Sequence, residues 1–292
     1  MNKILVTGAT GHLGELTVRA LLERTNAQQI VALARDPSKA QALADLGIEV
    51  RQGDYFDKKG LELAFQGIEK LFLVSAVAFT DRHTQHENVI AAAKAAGVKH
   101  IVFTSVQHND DSAFVISMVT ESDRATEQAL KDSGLAYTIL RNNLYLDALP
   151  FMFGTNVLTR GLRLTAGSGN AAMVARSDLA DANAVVLTQA GHENKTYSLG
   201  ADQAVSFAEI AACLGDLSGA AVPLVEIRVT DYIAERVAEG LPEPVAAFLH
   251  EWVQAVNVGD LSAVTGDLRR LIGRAPRSYR DFLSAAFFPA AV

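Results

Sequence analysis

The stretch from residue 3 to residue 22 sets a strand, a glycine-rich turn and a helix in immediate succession, and this limits the chain to few folds. Lys3-Ile4-Leu5-Val6-Thr7 is too short for a helix and rich in β-formers, which predicts a buried strand. Gly8-Ala9-Thr10-Gly11-His12-Leu13-Gly14 follows, and then a segment in which Leu16, Ala20 and Leu21 suit one helical face. Glycines spaced G-x-x-G-x-x-G permit a tight turn, let the backbone approach a pyrophosphate, and seat a helix close on a sheet. The N-terminus of that helix adds free N–H groups and a partial positive charge for phosphates. The pattern predicts a dinucleotide site, with Gly8, Thr10, Gly11, His12 and Leu13 against the phosphates; a plain structural turn is the alternative.

The first half of the chain continues the alternation. Strands are expected at residues 29–34, 48–51, 70–74, 100–104 and 136–140, with helices at 38–46, 58–66, 84–96 and 120–133 between them. Apolar strands alternating with helices specify a parallel sheet covered on both faces. Right-handed crossovers then favour the doubly wound order 3-2-1-4-5-6. Beyond Arg141 the pattern loosens, and Pro150, Gly154, Gly161, Gly167 and Gly169 divide the chain into short pieces. A helix is expected from 177 to 189, a strand at 195–199, and a helix from 206 to 214 opened by a Ser206/Glu209 capping box. A strand at 222–229 and helices at 231–239, 244–256 and near Leu268 and Phe282 complete the reading. The expected class is α/β: a Rossmann-like doubly wound parallel sheet with a smaller, mostly helical C-terminal lobe. Residues 1–150, with a return segment at about 175–200, would form the nucleotide-binding domain, and 151–292 an interleaved substrate-binding lobe.

A length of 292 residues with 49% hydrophobic and 20% charged residues is ordinary for a soluble α/β protein. A net charge of −7 and the lack of a basic arm argue against a nucleic-acid partner or an anionic membrane surface. No signal peptide and no apolar run of transmembrane length are found, which points to the cytoplasm. The single Cys213 excludes an intrachain disulfide and a cysteine-based metal cluster.

Ligands of such sheets lie outside the carboxyl ends of the strands. After the second strand stands Arg35, whose guanidinium suits a 2′-phosphate and favours NADPH over NADH; a solvated surface charge is the alternative. Asp54 ends the third strand, where it could accept from an adenine amino group or cap a turn. Ser75 and Ala76 end the fourth and let a cofactor pass close; Thr104 and Ser105 end the fifth, on the nicotinamide side. A Tyr-x-x-x-Lys pair is absent after the fifth strand, and Tyr55 to Lys59, at the adenine side, reads as coincidence. In its place Asp123 and Glu127 lie one helical turn apart, where two solvated charges are the expected reading and paired acid/base groups the alternative. Without a tyrosine acid, a strong electrophile suits the site better than an ordinary ketone. His83, His86, His100, His192 and His250 read as structural or surface groups, with no metal spacing, whereas His108, in the loop Gln107-His108-Asn109-Asp110-Asp111, is a candidate substrate-side acid. Phe248, Trp252 and Val256 share a helical face that reads as core or subunit packing, and a homodimer is compatible with it.

The chain resembles the atypical short-chain dehydrogenase/reductases of the NmrA-like group, and within it the type 2 NAD(P)H:quinone oxidoreductases and the triphenylmethane reductases. The resemblance rests jointly on Val6-Thr7-Gly8-Ala9-Thr10-Gly11-His12-Leu13-Gly14, Ala34-Arg35-Asp36-Pro37, Val50-Arg51-Gln52-Gly53-Asp54-Tyr55, Ala96-Gly97-Val98-Lys99-His100-Ile101, Leu140-Arg141-Asn142-Asn143-Leu144-Tyr145 and Gly191-His192-Glu193-Asn194-Lys195-Thr196-Tyr197. It implies NADPH held by residues 8–13 and Arg35, with the nicotinamide near Ser75, Ser105 and the turn Arg141, Asn142, Asn143. It implies a substrate cleft between the lobes, lined by residues such as Asn143, Tyr145, Phe151 and Phe153. The group often carries His or Lys where Asp123 stands, a departure that bears on nicotinamide positioning. Ser105, Asp123, Asn143 and Tyr145 are the candidate catalytic residues. The expected function is an NADPH-dependent reductase of a quinone, dye or similarly activated small molecule. The alternatives are an NAD(P)-binding redox sensor without turnover, and a reductase or isomerase of a specialised metabolite.

Overall fold

The computed structural model describes residues 3–77, 79–109 and 112–289. Its first half runs β1 (Lys3–Val6), α1 (His12–Leu22), β2 (Ile30–Ala34), α2 (Gln41–Ala44), β3 (Glu49–Gln52), α3 (Lys58–Ala64), β4 (Ile68–Leu73), α4 (Arg82–Ala96), β5 (His100–Val106), α5 (Thr120–Asp132) and β6 (Ala136–Asn142). The second half runs α6 (Leu149–Phe153), α7 (Val157–Arg160), β7 (Leu162–Leu164), α8 (Arg176–Thr188), β8 (Lys195–Leu199), α9 (Phe207–Ser218), β9 (Leu224–Glu226), α10 (Val229–Ala238), α11 (Glu243–Asn257), α12 (Asp267–Ile272) and α13 (Tyr279–Phe287).

Strand alternation decides which helices cover which face. Ile4, Val6, Ala32, Phe72, Val102 and Leu140 point to one side, where Val18 and Leu21 of α1 and Leu179 and Val186 of α8 meet them. Leu5, Val31, Leu71, Leu73, Ile101 and Phe103 point to the other, against Leu61 of α3, Val89 of α4 and Leu130 of α5. The sheet order is β3-β2-β1-β4-β5-β6-β8, every pair parallel, so the expected 3-2-1-4-5-6 arrangement gains one further strand at the β6 edge. That strand, β8, arrives with α8, which is tied to α1 by Asn183 Nδ2 donating to Thr17 Oγ1 at 3.0 Å.

Two expected elements differ. Residues 38–46 do not form one helix: Asp36 caps a 3₁₀ turn at Pro37–Ala40, and only Gln41–Ala44 is α-helical. The strand expected at 222–229 is just Leu224–Glu226, which pairs with β7; Pro223 can donate nothing to a ladder, and α10 already begins at Val229. The Ser206/Glu209 capping box forms as expected. A second core, including Met152, Phe153, Phe207, Leu214, Tyr232, Val253 and Val256, fills the space between the C-terminal helices. Among the described residues no helix is long and apolar enough to cross a membrane.

Candidate active site

The glycine turn is held by steric necessity. Gly8 has φ +57°, and a Cβ on Gly14 would lie 2.1 Å from the Gly8 carbonyl oxygen, so α1 approaches the end of β1 as only glycine allows. Gly11 caps the helix without any side-chain hydrogen bond, which leaves the N–H groups of its first turn available to an anion. Thr10, Gly11 and His12 are exposed at this turn, while the Leu13 side chain is buried in the core and could reach a ligand only through its backbone. Arg35 is exposed beyond β2, and its guanidinium makes no ion pair among the described residues. Asp36 is turned toward the following 3₁₀ turn, where its Oδ1 accepts from both the Ser38 amide and the Ser38 hydroxyl. Asp54 accepts from the Phe56 amide at 2.9 Å, as a turn cap does.

The neighbouring strand ends are locked together by short polar links. Thr7 Oγ1 donates to the Phe72 carbonyl and accepts the Val74 amide, both at 3.0 Å. Tyr55, of the incidental Tyr-x-x-x-Lys spacing, donates to the Val74 carbonyl and also meets Thr7; burial raises its phenol well above the ordinary range. It is a strut. Thr104 Oγ1 accepts the Ser75 amide at 2.9 Å, and His86 Nε2 accepts the Ala76 amide at 2.9 Å. With Nε2 accepting, the proton sits on Nδ1 and points to Thr126 Oγ1 at 2.8 Å. Burial, reinforced by nearby Arg82, pushes His86 down to about 3, so the ring is neutral.

The carboxylates of α5 are not solvated as expected. Asp123 and Glu127 are both buried, because one face of α5 packs over the ends of β5 and β6 and brings each against a cation. Glu127 is gripped bidentately by Arg141, through Nε at 2.9 Å and Nη2 at 2.7 Å, and accepts the Ser105 hydroxyl at 2.7 Å. Ser105 therefore has its proton committed to Glu127 and turns an acceptor toward any ligand. Asp123 pairs with Arg82, whose other terminal nitrogen donates to the Ala76 carbonyl. Burial pushes the Asp123 carboxyl up to about 6, against the pull of that guanidinium.

These groups border a cavity of about 420 Å³ at the carboxyl ends of β4, β5 and β6. Ser75, Ser105, Asp123, Asn142, Asn143 and Tyr145, all candidate site residues, line it. Ala76 and Arg141 stand just behind that wall, and Thr104 anchors it from below. The Asn143 amide is fully used: it donates to Gln107 Oε1 at 3.1 Å and the Leu261 carbonyl at 2.7 Å, and accepts the Leu144 amide at 2.8 Å. Asn142 differs. Its Nδ2 donates to the Tyr145 hydroxyl at 3.2 Å, while its buried Oδ1 has no partner. Burial raises the Tyr145 phenol above its ordinary value, so the group is neutral.

Several expectations about the cleft need correcting. Phe151 is exposed away from the cavity, and Phe153 packs into the second core against Phe207 and Phe287 at 6.0 and 6.4 Å between ring centroids. Phe248 and Trp252 of α11 do pack against the second core, and the same two rings also join Tyr145 in the cavity's aromatic wall, which the packing reading did not include. His108 is buried with Nδ1 against the Val106 carbonyl and is not among the cavity residues; Asp110 and Asp111 of its loop lie outside the described residues. Arg82 and Arg176 were not anticipated at all. Arg82 meets its partner Asp123 from a different helix, and Arg176 reaches the cavity only because Val174 bridges to Tyr145, so no local spacing announced either.

A family model described as NAD(P)H-binding matches residues 8–209. Quinone oxidoreductase 2 of Escherichia coli is 40% identical over 97% of this chain and 98% of its own length. An NAD(P)H azoreductase of Xenophilus azovorans is 30% identical over 97% of each chain. Among solved structures, triphenylmethane reductase of Citrobacter sp. superposes with a TM-score of 0.91 at 36% identity, covering 97% of this chain and 99% of the other. The Escherichia coli NADPH-dependent quinone oxidoreductase in complex with NADPH gives 0.88 at 39% identity over 97% and 99%.

Proposed function

The chain belongs to the NAD(P)H-binding family, among its NmrA-like reductases, and from that membership we propose that it reduces quinones or similarly activated small molecules with NADPH. The observation that carries this reading is the adjacency of the glycine cradle at β1 to an apolar, aromatic-walled cavity at the ends of β4, β5 and β6. The residues present fit the cofactor: a cradle that a Cβ at Gly14 would fill, an uncapped helix start, and a buried acceptor at Asn142 Oδ1 without a partner. We assign the pyrophosphate to the turn from Gly8 to Leu13, the 2′-phosphate to Arg35, and the nicotinamide half to Ser75, Ser105 and Asn142. Bound, the reduced nicotinamide supplies the hydride. Residues 1–150 with the return at about 175–200 serve as the nucleotide-binding part, and 151–292 as the lobe that closes the cavity.

The chain's own residues supply placement and one proton. Phe248, Trp252 and Met152 exclude water and offer flat apolar surface to a ring system. Asn142 donates to the Tyr145 oxygen, so the phenol's own hydrogen points elsewhere, and a carbonyl oxygen in the cavity can receive it. Arg82, held by Asp123, fixes the Ala76 carbonyl and with it the cavity's edge; Asn143 fixes the floor through Leu261. Catalysis rests on proximity and orientation rather than on a strong acid. The test is NADPH consumption with a panel of quinones and dyes. Turnover of quinones is the expected outcome; micromolar binding of NADPH without turnover of any acceptor would overturn the reading and leave a sensor.

A further inference from the structure

The charges on the cavity wall are not balanced. Its ionic side chains are Arg82, Asp123 and Arg176, and the one carboxylate is already paired with Arg82. Arg176 makes no hydrogen bond through its guanidinium among the described residues. It stacks over the Tyr145 ring at 4.7 Å and approaches Asp147 only to 3.9 Å. Asp147, the carboxylate of that long pair, accepts the backbone amide of Arg176 itself through Oδ2 at 2.9 Å and does not line the cavity. A planar guanidinium with five donors, 20% exposed and braced on an aromatic face, is thus presented to a mostly apolar cavity whose Ser75, Ser105, Asn142, Asn143 and Tyr145 side chains carry no charge. A second donor stands nearby. Arg82 is 6% exposed, and its Nε–H has no partner. Unpaired buried donors are costly and call for an acceptor.

We infer that Arg176, with Arg82 behind it, makes the cavity an anion-selective acceptor site, suited to quinones bearing a carboxylate, sulfonate or ionised hydroxyl and hostile to cationic dyes. The inference rests on the reductase reading and narrows it. An anionic substituent would take the free donors of Arg176 in a charge-assisted pair while its ring lies along Trp252 and Phe248. A cation would meet the Arg176 guanidinium with no carboxylate on the cavity wall left to pair with, because Asp123 is taken by Arg82, and that repulsion is less screened there than in open water. The chain would then differ in acceptor preference from a relative that reduces triphenylmethane dyes, although their folds superpose closely.

Trp252 is the single tryptophan of the sequence and lies in the cavity wall, so its fluorescence reports occupancy without any turnover. Quenching titrations with 1,4-naphthoquinone-2-sulfonate, 1,4-naphthoquinone and crystal violet should be run on the NADP⁺-loaded protein and on Arg176→Gln and Arg176→Lys, alongside NADPH oxidation with each. The expected result for Arg176→Gln is about tenfold weaker sulfonate binding and an about tenfold higher sulfonate KM, with the neutral quinone moved by no more than about twofold. Arg176→Lys should recover part of the loss. Equal losses for the charged and neutral quinones would make Arg176 a mere brace for Tyr145, and unchanged sulfonate binding would remove its role; either overturns the inference. Selective sulfonate binding without NADPH oxidation would instead uphold the anion site and defeat the reductase reading.

Discussion

Arg35 and Asp36 show how one residue's engagement decides its neighbour's role. An acidic group after the second strand would ordinarily favour a free ribose hydroxyl. Here the Ser38 amide and hydroxyl both hold Oδ1 of Asp36, lowering its pKa and turning the carboxylate toward the 3₁₀ turn, while Arg35 beside it has no ion-pair partner among the described residues. Replacing Arg35 with Ala should weaken NADPH about tenfold or more and NADH by less than about twofold. Equal losses, measured by calorimetry, would remove the 2′-phosphate from the assignment. The residue scale is also where sequence reading failed most instructively. A carboxylate on a helix is solvated unless something distant is brought to it. Asp123 and Glu127 are buried because Arg82 and Arg141, on other elements, reach across to them. Only the tertiary fold creates those pairs.

At the level of elements, the sheet was legible because its strands are short apolar runs set apart by helices and turn residues, and the glycine turn because its spacing has a steric purpose. Gly14 makes that purpose measurable. A methyl there would sit 2.1 Å from the Gly8 carbonyl oxygen and 2.7 Å from its carbon, and neither backbone atom can yield without shifting α1 from β1. Gly14→Ala should cost about 1–3 kcal/mol of stability and lose nucleotide binding more than that loss explains. A variant with wild-type unfolding and NADPH affinity would show that α1 has room to move. The C-terminal helices were less legible in function than in position. Phe248 and Trp252, four residues apart, have the same spacing whether they face a core or a cavity, and only the placement of α11 against α6 and Tyr145 decides between them. Phe153, read as cleft, went to the core because α6 turns it toward Phe207.

For the molecule as a whole, buried titratable groups set how stability answers to pH. His86 and His100 are held neutral by burial, at about 3 and about 4, whereas the unfolded chain protonates both near 6.5. Their contribution is present above about 6.5 and is lost as pH falls, because the unfolded state gains protons that the fold refuses. Asp123 acts in the opposite sense. Its folded value of about 6 lies above the unfolded carboxylate value, so the fold gains a proton first and is relieved as pH drops through 6. These three groups alone leave the unfolded chain about one proton ahead near pH 5, a slope of about 1.4 kcal/mol per pH unit, and His192 and His250, also lowered by burial, act in the same direction. Denaturant unfolding at steps from pH 7 to pH 5 should therefore show a steady decline, and Asp123→Asn, which removes the opposing group, should steepen it. A free energy that stays flat or rises on acidification would mean that His86 and His100 are not both held neutral by burial; were His86 the one that titrates normally, the link from Ala76 through His86 to Thr126, which fixes the edge of the cavity, would have to be redrawn.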